Sequence, residues 1–115
     1  MMQSTKTPNG VLVLTLTATR IDAASAVHFK DEFREGVADS DGRILMDLSS
    51  VTFMDSSGLG AMVAALKSVK GRKLELCCLM PAVDKVFRLT RMDKVFPLHG
   101  SVQEALAANK GVDAA

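Results

Sequence analysis

The sequence predicts an α/β fold: a single domain in which a mixed β-sheet of four to five strands packs against about four α-helices. Three observations carry this expectation. Apolar runs of strand length alternate along the chain with stretches whose apolar residues recur three and four apart. The first of the longer runs, Val11 to Thr17 in sequence, is apolar at most positions of both parities, the mark of a strand covered on two sides. The length, 115 residues, suits one compact domain that can bury roughly two-thirds of the surface its unfolded chain exposes, so no metal or disulfide is needed for folding.

The elements follow in order. Pro8-Asn9-Gly10 is a turn signal, with residues 2–7 pairing back as a hairpin strand on the strand at 11–17. Asp22 or Ser25 can cap a helix in which Ala26, Phe29, Phe33 and Val37 form an apolar stripe opposite Lys30, Asp31, Glu32, Arg34 and Glu35. Asp41-Gly42 breaks it, and residues 43–48 read as a short buried strand. Residues 49–54 form a loop, after which Leu59, Met62, Val63, Leu66 and Val69 give the inward stripe of a second helix ended at Gly71. Residues 73–79 read as a strand. Pro81 suits the first turn of a third helix carrying Val83, Val86 and Phe87. Residues 95–98 read as a brief strand, and Ser101 caps a last helix with Val102, Ala105 and Leu106 inward. The domain is expected to span 1–110, with 111–115 as a frayed tail.

Composition excludes several classes of function. At 48% hydrophobic residues the chain is globular rather than disordered, and a net charge of +1 with mixed signs gives no electrostatic case for direct nucleic-acid binding. The first ten residues lack an apolar signal core, and no run reaches the ~18 apolar residues of a membrane span, so a cytoplasmic location without membrane insertion is expected. Cys77 and Cys78 are adjacent; strand neighbours point to opposite faces, so they read as two small core residues and not as a metal pair. His28 and His99 are too far apart to suggest zinc by spacing, and each reads as a surface or turn residue. Neither a metal nor a cofactor is expected. Gly58-x-Gly60 lacks the third glycine or lysine of a nucleotide loop. A serine hydrolase would need a Gly-x-Ser-x-Gly elbow, yet Ser57 is flanked at those positions by Asp55 and Leu59, and Ser56 by Met54 and Gly58. That leaves only a spatial meeting of Ser57 with His99 and an Asp as a remote enzymatic alternative. Met62 belongs to a core stripe, whereas Met54 and Met92 are candidates for an adaptable interface. Lys85, Arg88, Arg91 and Lys94 read as a solvated face or, if they bind, as a match for an acidic strip.

The segment that carries a functional signal runs from Asp47 to Gly60: Asp-Leu-Ser-Ser-Val-Thr-Phe-Met-Asp-Ser-Ser-Gly-Leu-Gly. A buried strand ends, and a polar loop feeds a helix that opens on two serines. Unsatisfied N–H groups and the helix dipole favour an anion at such a start. A phosphate on Ser56 or Ser57 would meet a ready-made site, and Gly58 and Gly60 would keep the helix start bare for an approaching protein. Physics alone also allows the serines a plain capping role.

Asp-Leu-Ser-x-Val-x-Phe-Met-Asp-Ser-Ser-Gly-Leu-Gly resembles the signature of the STAS domain, as found in anti-sigma factor antagonists. Leu74-Glu75-Leu76-Cys77 followed by Pro81-Ala82-Val83 and Val86-Phe87 resembles the family's next strand and helix, and Ile21-Asp22 its early aspartate. The resemblance extends over nearly the whole chain and implies the STAS-type α/β domain. It implies a partner switch that is not an enzyme. The unmodified protein binds an anti-sigma factor with serine kinase activity and frees a sigma factor; phosphorylation of Ser57, with Ser56 the lesser acceptor, reverses this, and a phosphatase resets the cycle. Asp22, Asp55, Ser56, Ser57, Gly58 and Leu59 would form the partner surface of a protein that is monomeric when free. The rival role for the same domain is an accessory subunit or regulator outside sigma control, such as a subunit of a lipid-transport ATPase. One departure stands out. Thr19-Arg20-Ile21 precedes Asp22 where the family often has Gly and Glu, placing a cation where an acid is usual.

Overall fold

The computed structural model describes the backbone of residues 1–114 and the side chains of residues 1–108. The expected frayed tail, 111–115, lies outside the residues whose side chains are described. The chain opens with β1 (Met2–Lys6) and β2 (Leu12–Leu16), paired antiparallel with Met2 opposite Leu16 and Lys6 opposite Leu12. The hairpin closes where the Thr7 N–H donates to the Val11 carbonyl at 2.9 Å and Gly10 takes φ +86°, a left-handed conformation that glycine adopts without a steric penalty.

A two-residue strand β3 (Arg20–Ile21) leads into helix α1 (Ala26–Val37), then β4 (Ile44–Asp47), a second two-residue strand β5 (Phe53–Met54), helix α2 (Ser56–Ser68) and β6 (Leu74–Cys77). Helix α3 (Pro81–Leu89), a 3-10 turn at Met92–Lys94, β7 (Leu98–His99) and helix α4 (Val102–Ala114) complete the described chain. The main sheet has the order β1-β2-β4-β6-β7; all its pairs after the hairpin are parallel. The expected mixed five-stranded sheet with four helices is therefore the observed one.

The central strands β2, β4 and β6 are buried on both faces, as their apolar runs demand, while the edge strand β1 is largely exposed. On one face Leu12, Leu14, Leu16, Ile44, Met46, Leu74 and Leu76 meet α1, α2 and α3 through Phe29, Phe33, Met62, Val83 and Phe87. Phe29 stacks on Phe33 at 6.3 Å between ring centroids, and Phe87 meets Phe96 edge-on at 5.8 Å. Burying each such ring contributes about 1.5–3 kcal/mol. On the other face Val11, Val13, Leu45 and Cys77 are covered by α4 through Ala105, with Val102 and Leu106 at its margin, as the sequence indicates. Ser101 caps α4: its hydroxyl accepts from the Glu104 N–H at 3.0 Å, while Glu104 reaches back to the Gly100 N–H.

A charge lies in this second core. Glu75 is 4% exposed in the middle of β6. Arg43 grips its carboxylate with two nitrogens, and His99 Nε2 meets it at 2.8 Å. Arg43 also donates to the Ala105 carbonyl and so ties α4 to the sheet. Desolvation pushes the Glu75 carboxyl up, but the hydrogen bonds and charges of Arg43 and His99 outweigh it and hold the group below its ordinary value.

Three expectations need correction. The strand at 95–98 is instead β7 at Leu98–His99; Arg91 turns left-handed (φ +64°), the 3-10 turn follows, and Phe96 is buried from irregular backbone. The inward face of α2 is Gly58, Ala61, Met62, Ala65 and the following Val69, because small residues let α2 lie close to its neighbours; Leu59, Val63 and Leu66 are only partly buried. The two cysteines do not diverge. Cys78 leaves the strand with φ +63°, which ends the alternation and returns its sulfur to the side of Cys77.

Candidate functional site

The site is assembled by the two shortest strands. Residues 17–19 and 49–52 lie beyond the carboxyl ends of β2 and β4, and the Thr19 carbonyl accepts from both the N–H (2.8 Å) and the hydroxyl (3.2 Å) of Thr52. From that junction β3 and β5 run parallel, Arg20 beside Phe53 and Ile21 beside Met54. Asp22 and Asp55 are the next residues on each strand, so the register brings the two aspartates to the same end of the pair. Neither strand is long enough to show a period of two; the sequence reading takes β5 as part of the 49–54 loop and assigns no element to β3.

The chain turns into α2 at Asp55. Asp55 is the cap: it sits in extended conformation and its Oδ1 accepts from the Gly58 N–H at 2.9 Å, while its carbonyl takes the Leu59 N–H at 2.9 Å. The capping role that physics allowed the serines belongs instead to the preceding aspartate. Ser56 and Ser57 occupy the first two helical positions, are exposed, and make no side-chain hydrogen bond among the described residues. Their backbone N–H groups have no partner within the helix and point outward with the positive end of its dipole.

Gly58 differs from the expectation of a bare approach surface. It is buried, and a Cβ built on it would lie 2.0 Å from the Ile21 carbonyl oxygen and 2.8 Å from the Ile21 carbonyl carbon. Gly58 therefore lets α2 press against β3 and fixes the spacing between the Asp22 and Asp55 turns. Gly60 faces open space, and Leu59 is half-buried beside it.

Asp22 is built into a small polar lock. Its Oδ1 accepts from the N–H and hydroxyl of Ser25, each at 3.2 Å, and the Ser25 hydroxyl accepts from the Asp22 N–H at 3.0 Å. Ser25 thus stands at the start of α1 with its side chain turned back to Asp22 instead of forward onto the helix. The Arg20 guanidinium donates to Asp22 Oδ2 at 3.2 Å and lies 4.1 Å above the Phe53 ring. Desolvation raises the Asp22 carboxyl, and the hydrogen bonds from Arg20 and Ser25 with the Arg20 charge lower it further, so the group stays ionised. Arg20, which departs from the resembled pattern, is the cation that holds this aspartate, and the exposed Phe53 forms its platform.

The other candidates fall elsewhere. His99 is engaged by Glu75 under α4, and His28 by Glu32 on α1, so neither imidazole is a free base for Ser57. Burial pushes both cysteine thiols above the ordinary thiol range, which makes them poor nucleophiles at neutral pH. Arg88 in the basic cluster is paired with Asp84 and lies near Asp93, so the cluster is partly neutralised from within. Met54 is buried rather than open, Met92 is half-buried against the core, and Met62 is buried as expected.

Comparison with known proteins follows this geometry. The STAS domain family model matches residues 2–105. The anti-sigma-F factor antagonist RsfB of Mycobacterium tuberculosis is 29% identical over 104 residues, covering 90% of this chain and 84% of its own. The crystal structure of an anti-sigma factor antagonist from Mycobacterium paratuberculosis superposes with a TM-score of 0.82 at 29% identity, covering 94% of this chain and 92% of that one. SpoIIAA shares the fold in two structures. Its unphosphorylated form has a TM-score of 0.69 at 22% identity, covering 96% and 97%. The phosphorylated form from Bacillus has 0.64 at 20%, covering 94% and 98%. A two-residue β3–β5 pair aligning two aspartates, an aspartate-capped helix opening on two free serines, and a family match over nearly the full chain lead to one assignment: this protein belongs to the STAS domain family.

Proposed function

We propose that the protein is an anti-sigma factor antagonist that acts as a phosphorylation-controlled partner switch. In its unmodified form it docks an anti-sigma factor with serine kinase activity on the surface formed by Asp22, Asp55, Ser56, Ser57 and Leu59, and so frees a sigma factor. Transfer of the γ-phosphoryl group of ATP to Ser57 ends the complex, and a phosphatase restores it. Gly58 would enter this surface only as the backbone between Ser57 and Leu59, since its α-carbon is turned inward against Ile21. The reading places the protein in the cytoplasm, where ATP is available, as a monomer without cofactor or enzymatic activity of its own.

The observation that carries the reading is the pair of exposed serines at the first two positions of α2, whose hydroxyls have no partner among the described residues, with Asp55 already serving as the cap. Because the cap does not depend on either hydroxyl, phosphate can be added without dismantling the helix start. In the free protein the outward N–H groups and the helix dipole accommodate the charge of about −1.5 to −2. In a docked interface the same charge must be stripped of water beside Asp22 and Asp55. A penalty of about 1.4 kcal/mol already costs tenfold in affinity, and an uncompensated buried charge costs more. Release then needs no change of fold. The SpoIIAA forms, unphosphorylated and phosphorylated, agree with this in that both retain the fold seen here.

The experiment is phosphorylation with ATP and candidate kinases encoded beside the gene, followed by intact mass and peptide mapping for wild type and Ser57→Ala. One added phosphate on Ser57, absent from the variant, supports the switch. Stable kinase binding with ATP present and no phosphate gained favours the accessory-subunit role. Stoichiometric labelling of Ser57 by a fluorophosphonate would instead favour a hydrolase.

A further inference from the structure

The α4 face of the sheet carries a second cluster of chemistry-bearing side chains, on the opposite side of the sheet from α2 and its serines. Thr15, Asp47, Cys77 and His99 stand in one register row across β2, β4, β6 and β7. Neighbours in a row project from the same face, so the Asp47 carboxylate faces the Cys77 thiol. Cys78 would ordinarily project from the opposite face. Its left-handed backbone, φ +63°, is uncommon for a residue with a side chain and brings its sulfur back to the row. As a result one carboxylate oxygen of Asp47 and the two sulfurs all lie within 4.8 Å of one another.

The frame around them is fixed. The Cys78 N–H donates to the His99 carbonyl at 3.1 Å, the Leu48 N–H to the Cys77 carbonyl at 3.0 Å, and the Ser49 N–H to Asp47 Oδ1 at 2.9 Å. That last bond orients the carboxylate in the way outer-shell donors orient metal ligands. Cys77 is buried, while Cys78 and Asp47 are half-buried, so an ion can enter from the carboxyl edge of β4 and β6.

We propose that Asp47, Cys77 and Cys78 form a binding site for one thiophilic divalent cation of the Zn²⁺ class, held by two sulfurs and one carboxylate oxygen with water in the fourth position. Tetrahedral zinc with Zn–S bonds of about 2.3 Å places its sulfurs about 3.8 Å apart, so the present separations close with small side-chain rotations. Two sulfurs with one oxygen select a soft or borderline ion over calcium or magnesium, which require oxygen ligands throughout. Each metal–sulfur bond replaces an S–H bond, and the two protons pass to solvent, so binding is an exchange with no electron transfer. His99 stands next in the row but turns its imidazole to Glu75, which leaves the fourth position to water. Asp47 also opens the loop that runs to the α2 cap, and a bound ion would stiffen the base of that loop.

The test is titration of the reduced full chain with Co²⁺ under anaerobic conditions, followed by displacement with Zn²⁺. Tetrahedral d–d bands and a thiolate-to-cobalt charge-transfer band, saturating at one ion per chain, are expected. Cys78→Ser should remove about half of the charge-transfer intensity per bound ion, one of the two sulfurs being lost, and both Cys78→Ser and Asp47→Asn should weaken affinity by at least about tenfold, with unchanged far-ultraviolet circular dichroism. Because both side chains are half-buried, Asp47→Asn decides the matter if the cysteine variant fails to fold. Absence of the charge-transfer band at saturating Co²⁺, or affinity unchanged in a folded variant, overturns the proposal.

Discussion

Two glycines lie two residues apart in the first turns of α2, and the same substitution should act on them with opposite sign. Replacing a helical glycine by alanine in open space stabilises by about 0.8–1.0 kcal/mol through backbone entropy and helix propensity. Gly60 meets that condition, since a Cβ there finds no atom within 4 Å. Gly58 does not. Its Cβ would fall 2.0 Å from the Ile21 carbonyl oxygen, which is backbone in β3 and cannot rotate away. The start of α2 would have to withdraw by about 1 Å to bring that contact even to 3.0 Å, below which real Cβ contacts are essentially never seen. Forcing a methyl group into a packed region costs about 1–3 kcal/mol, and an approach to backbone that cannot rotate away belongs to the upper part of that range, about 2–3 kcal/mol, of which the propensity gain offsets only part. Gly60→Ala should raise stability by just under 1 kcal/mol and Gly58→Ala should lower it by about 1–2 kcal/mol. At about 4 °C per kcal/mol for a domain of this size, the two melting temperatures should separate by about 8–12 °C. Urea unfolding followed by circular dichroism gives both free energies under a two-state treatment. If Gly58→Ala is as stable as wild type, or if both substitutions shift stability the same way, the close approach of α2 to β3 is not the constraint that shapes the site.

Other outcomes follow from the same geometry. Asp55→Ala should cost about 1 kcal/mol by removing the cap on Gly58, with Asp55→Asn retaining most of it, measured by the same unfolding assay. Glu75→Gln should change the acid limb of stability. The folded carboxyl is held below its unfolded value of 4.5, so its contribution is fully present above that pH and is lost as pH falls from there toward the lower folded value. Urea midpoints from neutral pH down to pH ~3 should therefore fall more steeply for wild type than for the variant, and parallel curves would count against the Arg43–Glu75–His99 network as the cause. Ser57→Asp should leave thermal stability close to that of wild type, because the dipole tolerates the charge, while lowering affinity for the anti-sigma partner at least tenfold, about 1.4 kcal/mol by calorimetry.

Much of this molecule can be read from its residues, and the failures have specific causes. The hairpin, the three crossovers and the α4 cap at Ser101 each rest on a local signal: a turn tripeptide, a period of three to four, or a capping residue ahead of an apolar run. The segment Asp47 to Gly60 pointed to the candidate site through its resemblance to the STAS signature, while its residues alone also allowed a plain helix cap. What escaped was non-local or too short. Strands β3 and β5 have two residues each, and it is their pairing, across a separation of about thirty residues, that aligns Asp22 with Asp55. The cap of α2 went to Asp55 because an aspartate one position earlier satisfies Gly58, a choice that a run of Asp-Ser-Ser leaves open. The burial of Glu75 depends on Arg43 and His99, 32 and 24 residues away. A lone acid in a strand apolar on both faces was the available sign of such a partner. The cysteine pair was misjudged because alternation assumes a regular strand, and the left-handed turn at Cys78 breaks it.

The central claim is that charge on Ser57 decides whether the partner is held. The most direct measurement is the dissociation constant of the anti-sigma factor for the unmodified protein and for the same protein carrying a single phosphate on Ser57, at matched ionic strength. The account predicts at least a tenfold loss of affinity on phosphorylation with an unchanged circular dichroism spectrum. Equal affinity of the two forms would contradict it.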